Sequence, residues 1–527
     1  MVLRCGKPAD RGRDPIELIQ ALRRAAATRP HHTAMIDGPD VYTWAQVADR
    51  VARLSAGFAS LGIRRGDRVA ILANNCAAYY HSLYALFGMG AVAVPLNTRL
   101  ALPELRVQLE DAGARVLLIG EGYSAQGESL RGAPVDHIVG FGELAGVDTH
   151  IEHLIAAHEP AAFAVCGNQD LAGIFYTGGT TGLPKGVMHS HGSLHAMAAN
   201  LIMQLKLDED GVVLHSAPMF HLADFAIFVV TMVAGTHVLI RQLDDRSLLD
   251  AIEQYGVTHS FTVPVIIDRI ARSPDLANRD LSRLKVLGYG GAPMPWGTYL
   301  HAREKLPSVD FIQGFGMTEM PSISFLSRRY HRHAANPEKL KSAGVAGYGY
   351  ELRVVDETGA EVPRGQFGEI IGRGDNLMLG YWNRPEETQA ALRDGWMYSG
   401  DAGFMDEDGF IYITDRLKDM IVTGGENVYS IEVENVLSAH PSVHECAVIG
   451  VPDEKWGERV HAVVTLVPDM TLGRDEMIAF CRQSLAGYKI PRSLEVIATP
   501  LPRNGAGKVL KGDLRKQHCS PASSADG

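Results

Sequence analysis

Short apolar runs alternate with stretches of helical spacing along most of the chain, and this alternation constrains the fold more than any other feature of the sequence. Residues 67–73 and 91–95 have the pattern of buried strands, and the segments between such runs are rich in alanine and leucine. Alternation of this kind is typical of α/β proteins with parallel strands. The 527 residues allow several sub-domains. A turn-rich passage from Gly400 onward, followed by mixed helix and strand patterns, predicts a small α+β C-terminal domain after a large α/β N-terminal part.

Composition and charge limit the classes of protein to consider. Apolar residues make up 46% of the chain and charged residues 21%, values typical of a globular protein. The formal net charge of −11 argues against a protein that coats nucleic acid, although a small polyanion remains an allowed ligand. The six cysteines form no C-x-x-C pair, which indicates reduced thiols rather than a disulfide framework.

The sequence has neither the pattern of a membrane span nor that of a secretory leader. Residues 1–14 are polar and basic without an apolar core. The most apolar run, residues 225–234, has about half of the ~20 residues that a span requires. We therefore expect a cytoplasmic protein with a buried helix at 225–234. Peripheral membrane contact and a homodimer are left open.

An apolar strand at residues 171–176 runs directly into a segment rich in glycine and threonine. From Tyr176 to Val187 the segment reads Tyr-Thr-Gly-Gly-Thr-Thr-Gly-Leu-Pro-Lys-Gly-Val. Glycines let backbone N–H groups converge on an anion, and the hydroxyls and the lysine add donors, so the segment predicts a triphosphate cradle. It is not a Walker A loop, because Gly186 rather than Ser or Thr follows Lys185. The alternative, a flexible surface loop, accounts less well for the whole string.

Further motifs follow in order along the chain. They are Gly-Gly-Ala-Pro at 290–293, Gln-Gly-Phe-Gly-Met-Thr-Glu at 313–319, Tyr-Ser-Gly-Asp at 398–401, Asp-Arg-Leu-Lys-Asp at 415–419, Gly-Gly-Glu-Asn at 424–427 and Pro-Arg-Asn-Gly-Ala-Gly-Lys at 502–508. Together with the cradle, they resemble the adenylate-forming superfamily, which contains acyl-CoA synthetases, beetle luciferases and the adenylation domains of peptide synthetases. The overall resemblance is greatest to bacterial fatty-acyl-CoA synthetases.

The resemblance implies a domain organisation and a nucleotide site. An AMP- and acyl-binding domain would cover residues 1–415, a hinge 416–418, a small mobile C-terminal domain 419–518 and a disordered tail 519–527. Phe315 would present an aromatic face to adenine, with core packing as the alternative, and Asp401 and Arg416 would contact the ribose. The full predicted ATP- and AMP-binding set is Thr177, Gly178, Gly179, Thr180, Thr181, Gly182, Lys185, Gly290, Gly291, Ala292, Pro293, Gln313, Gly314, Phe315, Gly316, Asp401 and Arg416.

The resemblance also implies catalytic and metal-binding roles. Thr318 would hydrogen-bond the α-phosphate. Glu319 and Thr177 would hold Mg²⁺, because a hard cation bound to phosphates seeks oxygen ligands. Lys508 would bridge the attacking carboxylate and the α-phosphate, where a fixed ammonium stabilises the charge of the transition state.

A second orientation of the C-terminal domain would serve the transfer to coenzyme A. Lys418 matches the family's hinge position, and Gly424 and Gly425 would line the tunnel for the narrow thiol arm. Outside this firm set, four residues are candidates to meet the CoA nucleotide: Trp456, Tyr488, Lys489 and Arg492.

The acid site is predicted from the motif Pro-Met-Phe-His at 218–221, in which His221 would close the carboxylate end of the pocket and act as a gate. The segments expected to line the pocket, 222–228, 261–267 and 317–324, are mostly apolar. This composition favours a fatty or aromatic acid over a dicarboxylate, which would need a buried cationic partner. The orientation of Asp224, toward solvent or toward a substrate hydroxyl, stays open.

The sequence therefore predicts an acid–thiol ligase that uses ATP and CoA as co-substrates and Mg²⁺ as cofactor. A fatty acid of medium or long chain is the expected substrate, with an aryl- or cinnamoyl-type acid as the alternative. A luciferase-like monooxygenase would share the adenylation step, but no separate feature favours it. A non-catalytic nucleotide sensor would be expected to lack Lys508 or Glu319, and both are present.

Overall fold

A computed structural model describes the chain from residue 17 to residue 519, with internal gaps. The described residues are 17–132, 134–177, 184–241, 245–292, 294–332, 338–416, 421–423, 426–453, 455–503 and 509–519. For residues 245, 415, 416, 426, 427 and 519 only the backbone is described.

The first sheet combines strands from the beginning and the middle of the chain. In spatial order its strands are Val345–Ala346, Met320–Leu326, Asp310–Met317, Val286–Gly290, His259–Thr262, Val212–His215, Thr236–Leu239, Thr33–Asp37 and Asp40–Thr43. The interior pairs are parallel, and the pairs at both edges are antiparallel. Interior strands such as Val286–Gly290 are buried at every position, as expected for a parallel sheet covered on both faces.

The second sheet carries the predicted phosphate cradle at one edge. In spatial order its strands are Gly380–Tyr381, Lys185–Ser190, Leu171–Thr177, Val92–Pro95, Arg68–Leu72, Val116–Ile119, His137–Gly140 and Thr149–His150. Leu171–Thr177 and Lys185–Ser190 pair as an antiparallel hairpin, whereas Leu171–Thr177 pairs in parallel with Val92–Pro95. The predicted strands at 67–73, 91–95 and 171–176 are thereby confirmed within a residue or two.

Helices cover the sheets and form the main core between them. They are Leu18–Thr28, Trp44–Ser60, Ala77–Met89, Leu102–Ala112, Ser124–Leu130, Ile151–Ala157, His191–Leu205, Ala226–Val233, Asp245–Gln254, Pro264–Arg272, Trp296–Lys305, Arg328–Arg332, Pro385–Ala391, Ser430–Leu437, Arg474–Cys481 and Lys511–Cys519, with 3-10 turns at Leu276–Asn278 and Lys339–Lys341. Trp44, Phe58, Tyr80 and Phe87 are fully buried in this core. The run predicted as a buried helix at 225–234 is the helix Ala226–Val233, which confirms that interpretation.

Two smaller sheets follow toward the C-terminus. The third sheet has Glu351–Val355, Phe367–Arg373, Trp396–Met405 and Leu392–Arg393 in spatial order, with Ile411–Arg416 also paired to Trp396–Met405. The C-terminal sheet has Glu426–Val428, Ile421–Thr423, Gly457–Leu466 and Val443–Asp453, with Ser493–Val496 paired to Gly457–Leu466. This architecture confirms the predicted fold class of a large α/β part followed by a small α+β part. The exact boundary at 415–419 stays a prediction.

Two further features concern the covalent state and the membrane. Within the described ranges, none of the helices combines the length and the apolar character needed to cross a membrane. The described cysteine side chains are those of Cys76, Cys166, Cys446 and Cys481, and all four are free thiols.

Candidate active site

The two ends of the predicted cradle are held together by the hairpin of the second sheet. Thr177 and Lys185 are paired across the hairpin, and Thr177 Oγ1 donates a 3.4 Å hydrogen bond to the Lys185 carbonyl. The Lys185 ammonium lies 4.9 Å from the centroid of the Tyr381 ring. Gly178, Gly179, Thr180, Thr181 and Gly182 lie outside the described residues. The hairpin therefore fixes the positions at which the loop leaves and rejoins the sheet.

Glu319 lies beside this hairpin, although it is far away in sequence. Its side chain is buried, and Tyr381 Oη donates a 2.9 Å hydrogen bond to Glu319 Oε1. Strand Gly380–Tyr381 pairs with Lys185–Ser190, so strand pairing carries Tyr381 to this position. In the part of the chain that the structure describes, Glu319 has no ion-pair partner. A buried carboxylate with a single neutral donor is suited to accept a cation.

The preceding residue, Thr318, is anchored through its backbone by a buried histidine. His189 Nε2 lies 2.7 Å from the Thr318 carbonyl oxygen, and His189 Nδ1 lies 2.9 Å from Ser193 Oγ. Burial lowers the pKa of His189 to about 4, so the imidazole is neutral at physiological pH. A neutral ring can donate through Nε2 to the carbonyl and accept at Nδ1 from the serine hydroxyl. This contact ties the Thr-Glu segment to the second sheet.

The predicted adenine slot lies where two parallel strands of the first sheet end. Gly290 and Gly314 are neighbours across these strands, and a Cβ on Gly290 would stand 2.5 Å from the Gly314 carbonyl oxygen. A Cβ on Gly316 would stand 2.3 Å from the Ser322 backbone nitrogen. Close backbone approach thus requires glycine at both positions. The carboxyl edge of parallel strands is where ligands bind in open α/β sheets.

The remaining slot residues differ in exposure. Gly291 has a left-handed φ of 75° and is exposed together with Ala292, whereas Pro293 lies outside the described residues. Gln313 is buried, and its Oε1 accepts a 3.4 Å hydrogen bond from Tyr289 Oη. Phe315 is only partly buried and packs against the hydrophobic clusters on either side. Its ring therefore contributes to core packing whether or not it also meets a base.

The predicted ribose-binding residues face each other on the third sheet. Asp401 and Arg416 are cross-strand partners, and the Asp401 side chain is buried. The Asp401 backbone N–H donates a 3.0 Å hydrogen bond to Ser399 Oγ. Gly400, just before it, has a left-handed φ of 70°. Of Arg416 only the backbone is described, so the pairing places its Cα opposite Asp401 without placing its guanidinium.

The acid-site motif forms a tight turn at the end of strand Val212–His215. The His221 backbone N–H donates to the Pro218 carbonyl at 2.9 Å, and His221 Nδ1 accepts a 3.0 Å hydrogen bond from the Ala223 backbone N–H. This hydrogen bond holds the half-buried His221 ring in a fixed orientation at the turn.

Asp224 is neither solvent-facing nor isolated. Its side chain is buried, and Oδ2 lies 2.7 Å from His215 Nδ1. His215 Nε2 lies 2.9 Å from His237 Nδ1, and burial together with His215 holds the pKa of His237 well below its usual range. The chain of polar contacts continues to Thr231, which lies 2.7 Å from Tyr80 Oη. Asp224 is therefore held in place by a buried network.

A small internal cavity adjoins Asp224. Besides Asp224 it is lined mainly by apolar side chains, including Phe225, Phe261 and Val229. Phe225 and Phe261 meet edge-to-face with ring centroids 4.5 Å apart. Segments 222–228 and 261–267 thus meet at the same cavity.

Several predicted residues lie outside the described part of the chain. These are Lys418, Gly424, Gly425 and Lys508. The nearby CoA candidates are described: Arg492 stands over the Trp456 ring at 4.6 Å from its centroid, and Lys489 forms an ion pair of 2.7 Å with Glu432.

Tyr381, His189 and the two histidines that support Asp224, His215 and His237, were not singled out from the sequence. Each acts on a predicted residue from a distant or neighbouring strand, and none belongs to a recognisable motif. The signal for Tyr381 is its place in a strand that pairs with the cradle hairpin, which only the folded chain reveals.

Comparison with known proteins gives matches to both parts of the chain. The model of the AMP-binding enzyme family matches residues 22–382, and the model of the AMP-binding enzyme C-terminal domain matches residues 432–508. A feruloyl-CoA synthase from Amycolatopsis is 41% identical over 497 residues, covering 94% of this chain and 97% of the relative. The long-chain-fatty-acid–CoA ligase FadD13 of Mycobacterium tuberculosis is 35% identical over 505 residues, covering 94% of this chain and 97% of the relative.

Among solved structures, similarity extends over both parts of the chain. The crystal structure of the anthranilate CoA ligase AuaEII in complex with anthranoyl-AMP matches with a TM-score of 0.88 and 28% identity, covering 96% of this chain and 98% of that chain.

Proposed function

Because this chain belongs to the AMP-binding enzyme family and is an ATP-dependent acid–thiol ligase that forms AMP and pyrophosphate, we propose that its acid substrate is of the aryl or cinnamoyl type. The single observation that carries the choice of acid is the buried Asp224 carboxylate beside a small cavity that is lined mainly by apolar side chains. The fatty acid favoured by the sequence is the second candidate, supported by the similarity to the long-chain ligase.

Asp224 suits an acid that carries a hydroxyl group. His215 engages Oδ2, and Oδ1 has no hydrogen-bond partner among the described residues. A ring hydroxyl can donate to this oxygen, whereas an alkyl chain would desolvate it without compensation. The greater identity to a feruloyl-CoA synthase than to a fatty-acid ligase supports the same choice. We therefore favour a hydroxylated arylpropenoic acid over an alkanoic acid.

In the proposed first step the acid carboxylate attacks the α-phosphorus of ATP in line with the leaving pyrophosphate. The cradle from Thr177 to Lys185 would hold the phosphates, and Thr318 would hydrogen-bond the α-phosphate. Lys508 would neutralise the charge that develops between the carboxylate and the phosphate. The adenine would lie against Gly290–Ala292 and Gln313–Gly316, with Asp401 and Arg416 at the ribose. Positioning and charge neutralisation supply the rate enhancement, without a covalent enzyme intermediate.

The residues near the phosphates also fit Mg²⁺. The buried Glu319 carboxylate has a neutral donor but no cationic partner among the described residues, and the Thr177 hydroxyl belongs to the adjacent hairpin. We propose that these two residues hold the ion, which when bound neutralises charge on the departing pyrophosphate. Tyr381 would orient the carboxylate.

In the proposed second step the thiol sulfur of CoA attacks the acyl-adenylate carbonyl, the thiol proton is lost and AMP leaves with the C–O bonding electrons. The C-terminal domain, over residues 419–518, would rotate about Lys418 so that Gly424 and Gly425 border the thiol arm. His221 would move aside as the arm enters. Trp456, stacked under Arg492, is a further candidate to meet the CoA nucleotide.

A competition assay tests the choice of acid. The purified chain is given ATP, Mg²⁺ and CoA with an equimolar mixture of 4-hydroxycinnamic, cinnamic, benzoic, octanoic and hexadecanoic acids, and the thioesters are quantified by mass. We expect 4-hydroxycinnamoyl-CoA to dominate the early products. Predominance of hexadecanoyl-CoA or octanoyl-CoA would replace this proposal with the fatty-acid candidate. Separate assays of AMP and ADP check that AMP alone accompanies each thioester.

A further inference from the structure

One face of the C-terminal sheet gathers two histidines and a glutamate from three separate elements. His461 belongs to strand Gly457–Leu466, Glu495 to strand Ser493–Val496 and His518 to helix Lys511–Cys519. Their ligand atoms all lie within 4.8 Å of one another. This cluster has no part in the nucleotide, acid or CoA sites described above.

Strand register explains why the first two side chains share a face. His461 is paired with Ser493 in parallel, and Glu495 follows Ser493 by two positions. Side chains two apart along a strand point to the same side of the sheet, so Ser493 and Glu495 both accompany His461.

The C-terminal helix supplies the third side chain. Leu514 is buried in a cluster with Val463, which lies two positions after His461 on the same strand. Residues four apart share a helix face, so the burial of Leu514 turns His518 toward the sheet as well. The two imidazole rings have centroids 4.5 Å apart and are tilted by 57°.

One ring nitrogen of each histidine has no hydrogen bond among the described residues. Nε2 of His461 and Nε2 of His518 are both buried, and neither has a hydrogen-bond partner among the described residues. Glu495 Oε2 lies 2.9 Å from His518 Nε2 and 3.9 Å from His461 Nε2. The 2.9 Å separation suits a hydrogen bond, so it is the angle at His518 Nε2 that does not.

The orientation of His461 is already fixed for binding through Nε2. Its Nδ1 lies 2.7 Å from Ser493 Oγ, so Nδ1–H can donate to the hydroxyl and leave the Nε2 lone pair available. A hydrogen bond on the second ring nitrogen is the usual feature of histidines that bind metals. Burial, with smaller contributions from His518 and Arg459, also lowers the pKa of His461 to about 4, which keeps the ring neutral.

From this geometry we propose that His461, Glu495 and His518 form a binding site for a divalent transition-metal ion, Zn²⁺ in the first instance. Two imidazole nitrogens and a carboxylate oxygen are a ligand set that Zn²⁺ takes, with water in the fourth position, and that Mg²⁺ avoids. Ligand atoms around Zn²⁺ stand about 3.3 Å apart when each bond is about 2.0–2.2 Å, which the cluster reaches by small side-chain rotations.

The cluster is accessible to an ion from solvent, and one cationic side chain lies in its surroundings. The Glu495 side chain is 42% exposed, so the cluster is open to solvent on that side. Arg459 also acts electrostatically on His461, and its guanidinium is 4.0 Å from the Asp453 carboxylate. A bound ion would link the strand Gly457–Leu466 to the helix Lys511–Cys519, and would thereby fasten the helix that follows the Lys508 segment.

Metal titration of the full chain tests the proposal. The protein is freed of metal with a chelator, and Zn²⁺ is added in the presence of excess Mg²⁺ while heat is recorded; Co²⁺ is added in a parallel experiment while visible absorption is recorded. We expect one equivalent of Zn²⁺ and the absorption of four-coordinate Co²⁺. His518→Ala and Glu495→Gln should each weaken binding by about 100-fold or more, since loss of an outer partner alone costs ~10–100-fold. Ser493→Ala should weaken it by about 10-fold.

Two further variants separate this cluster from other ligands. His444→Ala removes an exposed histidine from the neighbouring strand Val443–Asp453 and should leave Zn²⁺ affinity unchanged. Cys519→Ser removes the thiol next to His518 in sequence and should retain the equivalent of bound Zn²⁺. Absence of binding in the unaltered chain, equal affinity in His518→Ala, or loss of binding in Cys519→Ser would each overturn the proposal.

Discussion

The phenolic hydroxyl of Tyr381 donates a 2.9 Å hydrogen bond to Oε1 of the buried Glu319 carboxylate. Tyr381 belongs to a short strand of the second sheet, whereas Glu319 lies in the turn between two strands of the first sheet. This bond fixes the direction of the carboxylate that we propose as a Mg²⁺ ligand, so its loss should be visible in the metal dependence of the reaction.

Tyr381→Phe should raise the Mg²⁺ concentration required for half-maximal adenylation by ~10–100-fold, because partners that orient a metal ligand contribute on that scale. Glu319→Gln should abolish adenylation at all Mg²⁺ concentrations tested. Pyrophosphate release at increasing Mg²⁺ measures both. Tyr412→Phe, which removes a 3.2 Å hydrogen bond to Asp406 on the third sheet, is the control and should leave the Mg²⁺ dependence unchanged. An unchanged dependence in Tyr381→Phe would contradict the orienting role.

Lys508→Ala should abolish formation of the acyl-adenylate, yet the variant should still convert a supplied acyl-adenylate and CoA into thioester. The reason is that the lysine is proposed to act only on the attacking carboxylate and the α-phosphate. Pyrophosphate release and thioester formation are measured separately. Lys516→Ala, on the following helix, serves as the control and should keep both activities. Loss of both half-reactions in folded Lys508→Ala would remove the assignment.

Lys418→Pro should preserve adenylation and suppress thioester formation. Proline fixes φ near −65° and removes a backbone donor, so the residue can no longer make the backbone change that the second domain orientation requires. Rapid-quench measurement of each half-reaction decides the matter. Lys418→Ala keeps the backbone free and should leave the ratio of the two rates unchanged. Equal slowing of both steps in Lys418→Pro would mean that Lys418 is not the pivot.

Asp224→Asn should lower kcat/KM for 4-hydroxycinnamic acid by about 10–100-fold relative to cinnamic acid, because a hydrogen bond to a charged acceptor is worth about 1.5–3 kcal/mol. The ratio between the two acids is the quantity measured, so a general loss of stability at this buried position cancels. His215→Gln, which disturbs the support of the carboxylate, should move the ratio in the same direction by less. A constant ratio in Asp224→Asn would exclude contact between the carboxylate and the ring hydroxyl.

His189 should make the folded chain less stable as pH falls below the ordinary histidine pKa. Its folded-state pKa of about 4 lies below the 6.5 of an unfolded histidine, so the unfolded state binds more protons between these values. Stability is therefore fully present above pH 6.5 and falls by about 1.4 kcal/mol per pH unit down to pH 4 on account of this residue. His189→Gln retains a donor for the Thr318 carbonyl and removes the titration.

Urea unfolding of the wild-type chain and His189→Gln at pH 8 and pH 5 measures this effect. The difference in unfolding free energy between the two proteins should change by about 2 kcal/mol between these pH values, in favour of the variant at the lower pH. A difference that is independent of pH would show that His189 does not carry this linkage.

The sequence by itself determined the reaction class and the architecture. Buried parallel strands and the helices that cover them can be predicted from short segments of sequence, because strand and helix periodicities repeat within a few residues. The glycines at 290 and 316 can also be explained locally, since the backbone approaches too closely there for any Cβ. Motifs such as the cradle are contiguous because adjacent backbone N–H groups must converge on one anion. For these features the residues that form the structure and the sequence pattern that predicts it lie in the same short segment.

Only the tertiary structure decided which distant residues complete each site. Tyr381 reaches Glu319 through strand pairing, and Asp224 is held by His215 rather than exposed to solvent. From the sequence a fatty acid is the expected substrate, because the pocket segments are mostly apolar. The sequence does not fix the orientation of Asp224. Which side a polar residue faces, and which histidine lies beside it, depends on strand register and on helix docking across many residues. No periodicity in the sequence marks the residues that make these contacts, because the contacts form only when the chain folds.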